Sequence, residues 1–169
     1  MAYTPHAWEG FFTAQATASA ALAGLLFVGM SINLAAITAS TRLSRRALEV
    51  FVLLVEILLL STLVLIPDVP RVARGLGLLG VGVIAWALVG RGHMTALASR
   101  RGPDAAATPR GSIAAQLLLG QAATLLLVIG AATFIAEAGG GLYWFAPGIV
   151  VAYVAALADT WVLLIEIQR

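Results

Sequence analysis

The stretch Ala47–Ile66, ALEVFVLLVEILLLSTLVLI, decides the fold. It is apolar apart from Glu49, Glu56, Ser61 and Thr62, and it is bounded by Pro67-Asp68-Val69-Pro70. A run of about 20 apolar residues, rising ~1.5 Å per residue, crosses ~30 Å of hydrocarbon as one helix. The run is continuous instead of alternating, which excludes a strand of a membrane barrel. Working outward, four more runs have the same character: Gly10–Ile37, Ala73–Gly90, Ser112–Ala138 and Leu142–Ile167. The expected fold is an all-α integral membrane protein, a single domain built as a bundle of five transmembrane helices.

Composition points the same way. Of 169 residues, 61% are hydrophobic and 11% charged, against about 25% charged in an ordinary soluble domain. The mean hydropathy is +0.99. A soluble chain this short cannot hide so much apolar surface. That excludes a soluble enzyme, a nucleic-acid reader and a disordered chain. The absence of Cys removes disulfides, zinc thiolates, iron–sulfur clusters and thiol nucleophiles. His6 and His93 fall outside the apolar runs, which removes a bis-His haem in the bilayer. No cofactor and no metal is expected.

The breaks carry turn chemistry. Pro67 stops the second run, because proline lacks the N–H that would continue it. Gly139-Gly140-Gly141 stops the fourth with residues that tolerate a left-handed cap. The segment 91–111 reads as the one long loop, Arg-rich and broken by Gly102-Pro103 and Pro109. The N-terminus lacks a basic n-region, and its small residues precede the most apolar part, so the first run is expected to be retained and not cleaved. As one helix it would span ~42 Å, which sends its outer end into the interface, a level suited to Trp8, Phe11 and Phe12.

All ten basic residues are Arg. Arg42, Arg45, Arg46, Arg91, Arg100, Arg101, Arg110 and Arg169 fall on one side of a five-span arrangement, and Arg71 and Arg74 on the other. The positive-inside rule makes the first side cytoplasmic. The N-terminus is then outside, the C-terminus inside, and Tyr143 and Trp144 mark the outer interface. The expected location is the bacterial inner membrane, with the lipid bilayer as partner and no nucleic acid. No internal repeat is evident, and an odd helix number argues against two simple inverted halves.

Few residues can carry chemistry. Glu56 lies near the middle of the second run, where a charge costs roughly 2.5–3.5 kcal/mol on insertion scales. It reads as a proton or cation site, or as a neutral carboxyl making one interhelical hydrogen bond. Asp159 lies in the fifth run, toward the cytoplasm. Glu49 and Glu166 share the helix faces of Glu56 and Asp159 at the rim. These two rim acids read as steps of an acid ladder, or as exposed pairs of Glu49 with Arg45 or Arg46 and of Glu166 with Arg169. Ser112, Gln116, Gly120 and Thr124 form a stripe at every fourth residue, with Gln121 beside it. Ser31 and Asn33 add polar groups to the first run. Together Glu56, Asp159, Gln116, Gln121, Asn33, Ser31 and Thr124 form the expected ion or proton pathway, or interhelical glue. His6 and Glu9, spaced i, i+3, are a candidate pH-sensitive pair. Small residues at Ala16, Ala20 and Gly24, and at Gly82 and Gly90 around Trp86, mark expected packing faces. The glycines at 75, 77, 80 and 82 lie inside an apolar run with no strand or Lys, so they make no nucleotide loop. No catalytic motif is present, and the chain is not read as an enzyme.

The segment Ala20–Leu34, AALAGLLFVGMSINL, followed by Arg45, Arg46, Glu49 and Pro67, resembles small bacterial multi-pass membrane proteins labelled modulators of FtsH protease. The resemblance covers about the first 70 residues and implies a small helical inner-membrane protein with no assigned chemistry.

Three functions fit these observations. One is a homo-oligomeric channel lined by Glu56, Asp159 and the Gln116 stripe, where rings of acids favour protons or small cations. Another is a non-catalytic regulatory or accessory subunit of a larger membrane complex, with a membrane-protein partner. The third is a small transporter.

Overall fold

The computed structural model describes residues 2–99 and 110–167, with side chains for 2–98 and 114–165. Its helices account for 91% of the structure, and no strand is present among the described residues. A 3-10 turn, Pro5–Trp8, leads into α1 (Glu9–Ile32) and the short α2 (Leu34–Ala39). Then come α3 (Thr41–Leu65), α4 (Arg71–Ser99), α5 (Arg110–Ala136), a second 3-10 turn (Gly141–Trp144) and α6 (Phe145–Ile167). Five segments are long and apolar enough to cross a membrane: Pro5–Ile32, Thr41–Leu65, Arg71–Ala98, Ala114–Ala136 and Gly141–Ile165. This is a multi-pass membrane protein.

Three boundaries differ from those read in the sequence. The first run does not continue as one helix to Ile37. Asn33 leaves the helical region at φ −108° and ψ 20°, and its Nδ2 donates back to the Gly29 carbonyl at 3.0 Å. The second helix starts earlier than Ala47, at Thr41, where the Ser40 hydroxyl accepts from the Leu43 N–H and caps the first turn. Arg42, Arg45 and Arg46 therefore lie on α3 and not in a turn. The third helix runs past Gly90 to Ser99. After Gly90 the chain meets no proline until Pro103, so nothing removes the backbone hydrogen bonds that extend the helix. Residues 91–99 of the expected loop are helix, and 100–109 lie outside the described residues.

Helix α3 is the centre of the bundle. It packs against α1, α4 and α6, while α5 closes the ring between α4 and α6. Leu53, Ile57 and Leu60 of α3 are fully buried with Leu127 and Phe134 of α5 and Phe145 of α6. At the end away from the Arg-rich turns, Phe12 meets the Phe145 ring edge-on at 5.9 Å, and Trp8 meets Tyr143 at 5.1 Å. Phe12 is thus a core residue and not an interfacial one. Gly139, Gly140 and Gly141 all have positive φ, as the turn chemistry of that triplet requires, and the Gly140 N–H donates to the Tyr3 hydroxyl at 3.1 Å. Helix α1 buries the least of the five spans. Ala20 and Gly24 lie exposed on its outer side, and Trp86 faces outward from α4.

Candidate functional site

The site forms at the Arg-rich end of the bundle, where four helices each turn a polar side chain inward. On α3 the buried positions Arg46, Glu49, Leu53, Glu56 and Leu60 recur every three or four residues and so share one face. On α4 the buried stripe runs Leu78, Gly82, Ala85, Val89 and His93 with the same spacing. The stripe carries His93 into the bundle three residues past Gly90, where the apolar run ends. Gln116 and Gln121 come from α5, and Asp159 follows the buried Ala152, Ala155 and Ala156 on α6.

These six side chains are hydrogen-bonded in a line. Gln121 Nε2 lies 3.1 Å from His93 Nδ1. His93 Nε2 lies 2.8 Å from Glu49 Oε1. The Gln116 amide nitrogen donates to Glu49 Oε2 at 3.0 Å and to Asp159 Oδ2 at 3.1 Å. Arg46 Nη1 donates to Asp159 Oδ1 at 3.2 Å. Arg46, Glu49, His93 and Asp159 are each at least 94% buried. Gly120 makes the close approach possible. A Cβ there would sit 2.6 Å from Glu49 Oε1 and 3.1 Å from His93 Cε1.

The arrangement follows from the cost of burying charge. An isolated ion in a low-dielectric interior loses several kcal/mol of hydration, so buried ions persist only when paired and hydrogen-bonded. Arg46 offsets one carboxylate. Arg45, one turn before Glu49, lies within electrostatic reach of it as well. The orientation of the Gln121 amide decides which ring nitrogen of His93 carries hydrogen. With its nitrogen toward His93, Nδ1 accepts and the ring donates only from Nε2 to Glu49. With the amide turned over, its oxygen accepts from a protonated Nδ1, and the ring donates from both nitrogens. His93 is thus hydrogen-bonded on both sides, to Gln121 and to Glu49.

One end of the line opens on a cavity of about 110 Å³ between α5 and α6, lined by Arg46, Gln116, Leu119, Ala155 and Asp159. A water needs about 10–15 Å³ of such space and two or more polar partners. The cavity has room for several waters against three polar side chains.

The remaining expected pathway residues are dispersed. Glu56 is 1% exposed, and neither carboxyl oxygen has a hydrogen-bond partner among the described residues. It stands two turns, ~10 Å, from Glu49 along α3 and is not joined to the line. The Thr124 hydroxyl bonds back to the Gly120 carbonyl. Ser31 is exposed and bonds to the Phe27 carbonyl, and Asn33 lines an apolar groove beside α6. Neither reaches the cluster, because α1 packs on the outer side of α3. Glu49 is no exposed rim acid. Both its oxygens are taken by His93 and Gln116, and Arg46 pairs with Asp159 instead. The side chains of Glu166 and Ser112, and Arg169 with them, lie outside the described residues. His6 and Glu9 do meet, at 3.0 Å on the surface. Arg71 pairs with Glu137 at the opposite end.

Sequence reasoning missed Arg46 and His93 as site residues. His93 was assigned to a loop, whereas it completes a buried helical stripe that the spacing of Leu78, Gly82, Ala85 and Val89 already traces. Among the described residues no group of three or more His, Cys, Asp or Glu is placed to hold a metal ion. Comparison of the chain with protein-family models, with curated proteins and with solved structures finds no match in any of the three.

Proposed function

We propose that this protein passes protons in the membrane through the interior of each protomer, with the His93–Glu49 couple as the group that holds the proton. The observation that carries the reading is the buried 2.8 Å contact between His93 Nε2 and Glu49 Oε1, inside an unbroken line of hydrogen-bonded side chains. The cavity beside Asp159 and Arg46 would supply water at one end of the line. The Arg-rich end would face the cytoplasm of a bacterial inner membrane. Copies that assemble as a homo-oligomer would each keep their own pathway. The acids of the cluster turn toward neighbouring helices of one bundle, so conduction would not require a pore on a symmetry axis.

The test is flux into liposomes holding the purified protein, with proton and potassium gradients imposed separately. Proton flux without potassium flux, lost in Glu49→Gln, is the expected result. Liposomes that stay tight under both gradients would sink the proposal.

A second reading, a non-catalytic accessory subunit of a larger membrane complex, draws on the completeness of the pairing. Every carboxylate oxygen of Glu49 and Asp159 has a partner, as interhelical glue would. The resemblance of the first 70 residues to modulators of FtsH protease belongs to this reading. Tight liposomes together with a stoichiometric membrane-protein partner on purification would favour it.

A further inference from the structure

The line joins Glu49 to Asp159 through a single atom. Gln116 Nε2 lies 3.0 Å from Glu49 Oε2 and 3.1 Å from Asp159 Oδ2. An ionised carboxylate only accepts hydrogen bonds, and an amide nitrogen only donates them, through two hydrogens. Both hydrogens are spent, one on each acid, which sets the amide with its nitrogen between the two. Hydrogen bonds that all point away from one nitrogen hold two acids together but move no proton between them. That nitrogen neither takes a proton from one acid nor gives one up to the other. Position adds to the chemistry. Gln116, Asp159 and Arg46 line the cavity of about 110 Å³ between α5 and α6, and Glu49 and His93 do not. Gln116 is half-buried, whereas Glu49 and His93 are 5% and 6% exposed. The amide therefore stands between the cavity and the His93–Glu49 couple, with open space on its cavity side.

From the doubly donating amide and its place on the cavity wall, we propose that Gln116 is the gate of the proton line. It is closed in this structure, and it opens when the side chain swings into the cavity and a water takes the place of its nitrogen. The inference rests on the proton-passing reading and names the residue that regulates it. A water in that place reaches the same two carboxylate oxygens, and unlike the amide it both donates and accepts. A proton carried by Asp159 Oδ2 then moves on in one exchange. The Asp159 O–H bond breaks, and its electron pair stays on the carboxylate. The water oxygen takes that proton, and one of the water's own O–H bonds breaks as its proton joins Glu49 Oε2. The water is left whole, Asp159 is again an anion beside Arg46, and no redox partner is needed.

The experiment compares proton flux in liposomes holding the whole protein, wild type beside Gln116→Ala and Gln116→Leu. Gln116→Ala leaves standing room for water between the acids, so flux should rise by roughly tenfold or more. Gln116→Leu keeps the bulk and shuts water out, so flux should fall below wild type. A residue that merely holds the acids together would lose flux in both variants, so the opposite directions are the signature. Ala158→Leu, at an exposed position on the cavity wall, should exclude the water and lower flux with the line intact. It keeps the test decisive where the Gln116 variants misfold. In nanodiscs, the His93 ring N–H should exchange with water faster in Gln116→Ala than in wild type, a readout that needs no flux. In a conducting wild type, flux that does not rise in Gln116→Ala, undiminished flux in Ala158→Leu, or ring exchange no faster in Gln116→Ala would overturn the gate and leave the His93–Glu49 couple standing. A wild type tight to protons would sink the proton reading, and the gate with it.

Discussion

His93 and Glu49, forty-four residues apart in the chain, meet at 2.8 Å between α4 and α3 with both side chains more than nine-tenths buried. Neither side chain has open access to solvent. Each is tolerable because the other is there.

The first prediction concerns that couple. Glu49→Gln removes the acid and leaves an amide of the same shape, so the helices still meet. Proton flux should fall by roughly tenfold or more, the usual loss when a positioned proton-transfer group is removed. Glu56→Gln should leave proton flux near wild type, because Glu56 is not hydrogen-bonded to the line. This reverses the order expected from depth in the sequence, where Glu56 ranks first. A larger flux loss in Glu56→Gln than in Glu49→Gln would take the His93–Glu49 couple out of the pathway.

Asp159 and Arg46 give the second. The sequence places Asp159 near solvent, but it is 5% exposed and bonded to Arg46 and Gln116. Asp159→Ala strands a buried guanidinium and should destabilise the bundle by about 3–5 kcal/mol. Replacing both partners, Arg46→Met with Asp159→Leu, should recover much of that loss, since no lone charge is left. Thermal unfolding of the purified variants in detergent reads both. A double variant as unstable as the single one would mean that the pair itself holds the helices.

Gly120 provides the third. A methyl group there would lie 2.6 Å from Glu49 Oε1, closer than real Cβ contacts allow. Gly120→Ala should cost about 1–3 kcal/mol, as overpacked cores do, and should lower proton flux through displacement of Glu49. Gly24→Ala, where a Cβ meets nothing within 4 Å, is the control and should alter neither.

The spans were legible and the site was only half so, for a physical reason. Long apolar runs announce a membrane helix, because the bilayer demands length and apolarity and little else. That signal fades where a helix leaves the apolar run, and there the site sits. Arg46 lies before Ala47, and His93 lies after Gly90, each on a helical turn that composition alone assigns to a loop. Ser40 and the stripe Leu78, Gly82, Ala85, Val89 carry the information that would have extended both helices. Gln116, Gln121 and Asp159, set inside apolar runs, were visible from the cost of burying them. Ser31 and Asn33 looked equivalent by depth, but depth does not say which face of α1 meets α3.

The last prediction concerns the tautomer of His93. With the Gln121 nitrogen facing His93, the neutral ring accepts at Nδ1 and carries its proton on Nε2, pointing at Glu49. Nitrogen-15 spectra of His93 in nanodiscs should therefore show the Nε2–H tautomer of the neutral ring. Gln121→Leu removes the group that donates to Nδ1, and Glu49→Gln removes the carboxylate that accepts from Nε2–H. Each variant should weaken the preference, so that signal from the Nδ1–H tautomer grows. An Nδ1–H ring in the wild type, or a tautomer ratio unchanged in both variants, would mean that His93 does not aim its proton at Glu49, and the couple would then be structural.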